Sequence, residues 1–530
     1  MTRHFAAAPA AAIAMAFTAS AAFAETPADT LVIADKIDDI VSLDPAESFE
    51  FSGNDLLNNV YDTLVELDPA NLGPLVPGLA ESWEVADDGV TYTFTIRQDA
   101  TFHSGNPVTA EDAAWSLQRA IKLDKTPSFI LDQFGFTAEN VDERIRATGE
   151  HELQIVTDQP YAPTFFYNCL TSVVASVIDK DVALENEVDG DMGYGWLKTN
   201  TAGSGAYSLR RYTPSESYIL EANADYWRGA PPLARVFLRH VPEPATQRLL
   251  LEKGDIDVAR SLTPVDIEGI ADNPDVKVED TVRGRIVYVA MNQKVEPLND
   301  PKVVEAIKHL IQYEGMAETF LDGAYMVHQA FLPRGFLGAL EETPYSLDVD
   351  KARALLAEAG HADGFEVTIY VRNDQERLEI AQSFQNTLAQ AGIEAELRVG
   401  TGSEILGEYR ARNHDIYLGA WGPDYPDPHT NAATFARNPD NSDDAGLTGV
   451  LAWRNAWPAE ETMAMTDAAV LETDGDVRAE MYREIQRIHQ RASPFAPMFQ
   501  QIEQVAMRSN VEGLNVGGSI HSVFYWRTTK

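Results

Sequence analysis

The chain has 530 residues, 45% of them hydrophobic, more apolar material than one core normally absorbs, so two or three domains are expected. Its 82 Asp and Glu against 41 Lys and Arg set a formal net charge of −41. That excess excludes nucleic acid, whose binding rewards clustered Lys and Arg, and suits solubility with a mild attraction for cationic ligands.

The first 24 residues, MTRHFAAAPAAAIAMAFTASAAFA, have a basic start, an apolar Ala-rich run and Ala22-Phe23-Ala24 before Glu25. This is the pattern of a removable secretory signal cut after Ala24, and without a junction cysteine a lipoprotein anchor is not supported. No later apolar stretch is long enough to span a bilayer. The mature chain opens with a short strand over 31–34 and a turn at Asp44-Pro45. Leu56, Leu57, Val60, Tyr61 and Leu64 then recur at helical spacing, which predicts a helix over 52–67 capped by Ser52 or Asn54.

Residues 90–96, VTYTFTI, alternate as a half-buried strand after an Asp88-Gly89 turn. Thr109 and Asp112 form a capping-box start for the helix AEDAAWSLQRAI. TAGSGAYSLRRY runs from a Gly-rich turn into a strand, and 217–259 reads strand, turn, strand, helix, turn, strand. DPKVVEAIKHLI and DVDKARALLAEAG are helices, FEVTIYVR a strand, RLEIAQSFQNTLAQAG a helix stopped by Gly392, and IEAELRVG and HDIYLGAW strands. Alternation of this kind implies an α/β sheet with crossover helices.

Catalytic patterns are missing. Gly203-Ser204-Gly205 lacks the G-x-S-x-G of a nucleophile elbow and reads as a tight turn. Walker A and dinucleotide-type glycine loops, H-E-x-x-H and C-x-x-C are also absent. The single cysteine, Cys169, excludes an intrachain disulfide, and its apolar context, YNCLTSVVAS, predicts a buried thiol. The run 419–435, GAWGPDYPDPHTNAATF, crowds Trp421, three prolines, Asp424, Asp427 and His429 into one loop after a strand. His429 with Asp424 and Asp427 is too slight a donor set to place a metal, and no cofactor is expected.

Several stretches resemble one family in order along the mature chain. They are LDP followed by NNVYDTLVEL, LVPGLAESWEVADDGVTYTFTIRQDATFHSGNPVTAEDAAWSLQR, AGSGAYSL with NADYWRGAPPLARV, LLLEKGDIDVA and WGPDYPDP. On these the chain resembles the extracellular solute-binding proteins, family 5, the oligopeptide, dipeptide and nickel-type binding proteins of ABC importers. The resemblance implies an α/β fold of two lobes, a periplasmic binding protein of type II, cluster C, with an extra domain inserted in the first lobe. Lobe I would comprise 25–72, 196–286 and 495–530, the insert 73–195 and lobe II 287–494. The hinge would cross near RIVYVAMN and near SPFAPMFQQ.

The resemblance further implies a monomeric periplasmic protein that is not an enzyme, with a small-molecule or peptide ligand and an ABC permease at the inner membrane as partners. Asp424 matches the acid that pairs with a peptide's α-ammonium, and Asp427 reads as turn chemistry. Trp421 would wall the pocket or pack a strand end, with Tyr425 beside the loop. Arg372 would take the ligand carboxylate or stand as a free surface arginine. Phe49, Glu50, Phe51 and Ser52 fall where the first lobe offers contacts. Trp453 and Trp457, in a segment that does not match the peptide-binding pattern, open a second reading of the same scaffold, with an oligosaccharide, opine or metal chelate as ligand. An exported hydrolase would need a nucleophile–base pair that the sequence does not display.

Overall fold

The computed structural model describes residues 26–68, 75–517 and 523–530; the expected signal at 1–24 lies outside them. One mixed sheet of eleven strands runs through the molecule. From one edge its order is Ile393–Gly400, Phe365–Arg372, Ile416–Trp421, Val276–Met291, Phe495–Arg508, Val258–Ala259, Thr30–Asp35, Arg235–His240, Ser217–Ala222 and Tyr207–Thr213. Tyr325–Val327 pairs with Phe495–Arg508 off this path.

Two long strands hold the sheet together and divide it into two lobes. Val276–Met291 and Phe495–Arg508 pair antiparallel along their whole length. Between Val282 and Ile286 the first advances four residues while its partner moves only from Ile502 to Gln500. Two extra residues at one point form an irregularity of the bulge kind, which bends a strand and re-aims its side chains. Arg283 and Arg285 sit in it. On one side lie the cores built around Leu31, Tyr207, Tyr218 and Val236 and around Val32 and Leu251. On the other lie those built around Val289, Ile307 and Phe384 and around Tyr288, Phe435 and Tyr482.

A separate four-stranded antiparallel sheet, Ala80–Val85, Thr91–Ile96, Glu152–Val156 and Ile145–Gly149, carries its own core. Its alternation is the expected one: Tyr92, Phe94 and Ile96 point inward beneath the helix Ala110–Leu123. That helix starts with the anticipated capping box, Thr109 with Asp112. In the second lobe, parallel strands Phe365–Arg372 and Ile393–Gly400 are joined by the helix Gln375–Gln390.

Two expectations need correction. The helix expected over 52–67 covers Phe51–Val60, with Glu50 as N-cap, and Val65–Leu67 is a strand. Ser52 and Asn54 lie inside the first turn; Ser52 Oγ donates to the Lys36 carbonyl at 3.0 Å. Beyond Tyr61, tertiary contacts override helical spacing, because the buried Asp62 carboxylate accepts from Ser204 Oγ at 2.7 Å and Tyr226 OH at 3.0 Å. The Gly203-Ser204-Gly205 run owes its glycines to close approach. A Cβ at Gly203 would lie 2.0 Å from the Val60 carbonyl oxygen, and one at Gly205 2.6 Å from the Val60 carbonyl carbon.

Candidate functional site

A cavity of about 460 Å³ opens where the two lobes meet along the bent long strands. The first lobe contributes Asp35 at a strand end, and Phe51, Ser52 and Asp55 from the first turns of the helix Phe51–Val60. The second contributes Arg372 and Trp421 at the ends of adjoining strands, Gly422, and Arg377 on the helix that follows Arg372. Arg283, Arg285 and Glu503 come from the long strands. Strand ends and helix starts thus point at one place, as is usual for ligand crevices of open α/β sheets.

The floor is a closed ion network. Arg260 pairs with Asp55, with Asp35 at 3.6 Å and with Glu503 at 3.0 Å, and Arg283 reaches Glu503 at 3.2 Å. Burial raises the Asp35 and Asp55 carboxyls despite Arg260. Burial acts on Glu503 in the same sense, but Arg260 and Arg283 together hold it below its ordinary range. These groups satisfy one another. The second-lobe wall differs. Arg372 makes no hydrogen bond or ion pair among the described residues, and its Nε is buried. Its guanidinium packs instead on the helix Gly402–Arg410, 3.6 Å from where a Gly402 Cβ would stand. Trp421 presents one face toward Phe435, and its indole Nε1 is likewise buried without a partner. The expected residues Arg372, Trp421, Phe51 and Ser52 therefore line one cavity.

The other four do not line it. Phe49 packs edge-on against Phe129, 5.8 Å between centroids, at the rim of the small sheet's core. Glu50 caps the helix, and its carboxyl, raised by burial, accepts the Phe49 N–H. Asp424 is half-buried two residues past the cavity's edge; its N–H donates to Thr430 Oγ1 at 3.0 Å, and burial lifts its carboxyl to about 7. Tyr425 turns the other way: it is 4% exposed, lies in the small sheet's core and packs against Phe165 at 5.9 Å. Trp453 and Trp457 also lie away from the cavity, because each is used in second-lobe packing. Trp453 Nε1 donates to the Ser442 carbonyl at 2.7 Å beneath Arg412, and Trp457 stacks edge-on against His489.

The proline-rich run ends in a helix, Pro428–Phe435, that the loop reading missed. Asp427 is its N-cap, accepting the His429 N–H at 2.9 Å. The same carboxylate forms a buried fork with Arg478, 2.8 Å on each arm. Arg478 Nη1 also donates to Thr164 Oγ1 at 3.2 Å, and Asn168 Nδ2 reaches Asp427 at 3.5 Å. Thr164 and Asn168 belong to the helix Pro163–Cys169 of the small-sheet unit. That unit is also fixed to the first lobe, where Arg119 forks Asp44 at 2.9 and 2.5 Å. His429 packs on Phe165, and burial pushes its imidazole down to about 4. Cys169 is buried, with its thiol raised by burial. Among the described residues, no three His, Cys, Asp or Glu side chains gather as a metal site would need, and no helix is long and apolar enough to cross a membrane.

Sequence reasoning missed Arg283, Arg285, Arg377 and Arg478. For the first three the available signal was the density of arginine in VRGRIV and RNDQER within an acidic chain.

Comparison with known proteins adds the following. The family model described as bacterial extracellular solute-binding proteins, family 5 Middle, matches residues 74–443. The chain is 29% identical over 507 residues to the probable D,D-dipeptide-binding periplasmic protein DdpA of Escherichia coli strain K12, spanning 95% of this chain and 94% of that one. It is 27% identical over 526 residues to di/tripeptide-binding protein 2 of Pseudomonas aeruginosa, with 94% of each chain covered. The fold is shared with the periplasmic binding protein DppA of Helicobacter pylori, solved with peptide STSA. That match has a TM-score of 0.78 and 24% identity, over 94% of this chain and 98% of that one.

Proposed function

The chain belongs to the bacterial extracellular solute-binding proteins, family 5, and from that premise we propose that it is the periplasmic binding component of an ABC importer for a small peptide-like solute. The solute is engulfed between the lobes and handed to the permease untransformed. The relatives named above are a probable D,D-dipeptide-binding periplasmic protein and a di/tripeptide-binding protein. The observation that carries the reading is the Arg372 guanidinium, which lines the interlobe cavity without a side-chain partner among the described residues. Its Nε is buried without a partner, and a ligand carboxylate supplies a bidentate partner for the guanidinium. Asp424, on the loop just past the cavity's edge, takes the α-ammonium when the lobes close. The cavity of about 460 Å³ lies in the ordinary small-molecule range of roughly 300–1,000 Å³, which favours a short peptide over a long one.

The lobes and the insert follow the divisions 25–72 with 196–286 and 495–530, 287–494, and 73–195. The hinge crosses near RIVYVAMN and near SPFAPMFQQ, a reading supported by the register break beside the first crossing at 283–285. An oligosaccharide reading is disfavoured because Trp453 and Trp457 are committed to packing. For hydrolysis, no histidine stands among the cavity-lining residues to serve Ser52 as a base.

Titration calorimetry of the mature chain with a dipeptide panel tests the proposal. Arg372→Ala and Asp424→Ala should each weaken dipeptide binding by about 2–5 kcal/mol, the usual cost of removing one partner of a buried charge pair. Unchanged affinity in both variants would overturn these roles.

A further inference from the structure

The second-lobe wall of the cavity carries more positive charge than one carboxylate requires. Five arginines and three acids line the cavity. Arg260 and Arg283 are consumed by Asp35, Asp55 and Glu503 in the floor. The remaining three, Arg285, Arg372 and Arg377, have no acid among the lining residues to answer them. Arg372 has no partner at all among the described residues. Arg285 has only Glu376, at 3.6 Å, a pair about a quarter to a third exposed. Arg377 pairs with Asp374 three residues back, and its Nε is buried and unbonded. Asp374 is also the N-cap of the helix Gln375–Gln390, where its oxygen accepts the Arg377 N–H, so part of its charge is spent on the helix end. Neither acid is among the cavity-lining residues, and the Arg285–Glu376 contact at 3.6 Å is too long for a hydrogen bond. In a chain of net charge −41, three guanidinium groups lining one open crevice favour anionic ligands.

We infer that the solute is a peptide-like zwitterion bearing a second carboxylate, an acidic dipeptide. One carboxylate is held by Arg372 and the other by Arg285 and Arg377. This rests on the peptide reading of the same cavity. A fork of two parallel N–H···O bonds to each carboxylate uses the planar guanidinium donors that the protein leaves open. A neutral side chain in that place would leave Arg285 and Arg377 desolvated on closure, with only Glu376 and Asp374 to answer them. Discrimination therefore comes as much from rejecting the neutral ligand as from attracting the acidic one.

Calorimetric titration of the mature chain with isosteric pairs, Ala-Asp against Ala-Asn and Ala-Glu against Ala-Gln, tests this. The acidic member of each pair should bind at least about tenfold more tightly, equivalent to about 1.4 kcal/mol. Arg377→Gln and Arg285→Gln, checked for unaltered melting temperature, should bring the acid-to-amide affinity ratio toward one. Equal or tighter binding of Ala-Asn and Ala-Gln overturns the inference and leaves the peptide reading standing. No binding of any of the four removes the peptide reading, and this inference with it.

Discussion

Asp424 and Arg372 face opposite physical problems. Burial raises the Asp424 carboxyl to about 7, so the protonated form persists toward neutral pH in the unliganded protein. A ligand ammonium favours the ionised form, so binding expels the remaining proton. Affinity for a zwitterionic dipeptide should therefore rise with pH up to about 7, be level above it, and fall again as the α-amino group deprotonates near about 8. Calorimetry from pH 5 to 9 reads this profile, and Asp424→Asn should abolish its acid limb while keeping the alkaline one. An acid limb that survives in Asp424→Asn would assign the titration to another group. Arg372 stands differently, with a buried and unbonded Nε at the cavity wall. Its open donors are visible only in the folded structure, because nothing in IYVRND distinguishes a cleft arginine from a surface one.

The element that carries Asp424 is pinned from both sides. Asp427 caps the helix Pro428–Phe435 and forks Arg478, and the same pair receives Thr164 and Asn168 from the helix Pro163–Cys169. Arg478→Met strands a buried carboxylate and should lower stability by about 3–5 kcal/mol, measured as a shift of the denaturation midpoint. Arg478→Met with Asp427→Asn should recover much of the loss, because the uncompensated charge is gone. A single variant as stable as the parent would contradict the account of the fork. At this scale the sequence was readable wherever local signals decide. Thr109 with Asp112, the alternation of 91–96 and the helices before and after FEVTIYVR all form as their patterns direct. It was unreadable where distant contacts decide. Asp62, engaged by Ser204 and Tyr226, stands where helical spacing predicted continuation, and Asp427, paired with Arg478 from 51 residues away, turned an expected loop into a helix start. Trp453, Trp457 and Tyr425 show the same limit, since an aromatic in a polar run fits a pocket wall and a core equally well.

At the scale of the whole molecule, two lobes share a single sheet through two long strands, and their register break lies beside the cavity. The small-sheet unit is bound by one buried arginine–aspartate fork to the first lobe and touches a second fork in the other lobe. Its position is thereby tied to how the lobes meet. The acidic excess of the chain and the arginine-rich cavity wall are separate features: the first favours solubility, and the second is the proposed selector of what is engulfed. The central claim is that an anionic ligand terminus is held by the cleft guanidinium of Arg372 inside this cavity. It is tested most directly by titrating the mature chain with dipeptides and with their C-terminal amides. Saturable one-site binding of the free acids and a loss of at least about 2 kcal/mol on amidation are expected. Equal binding of acids and amides would contradict it.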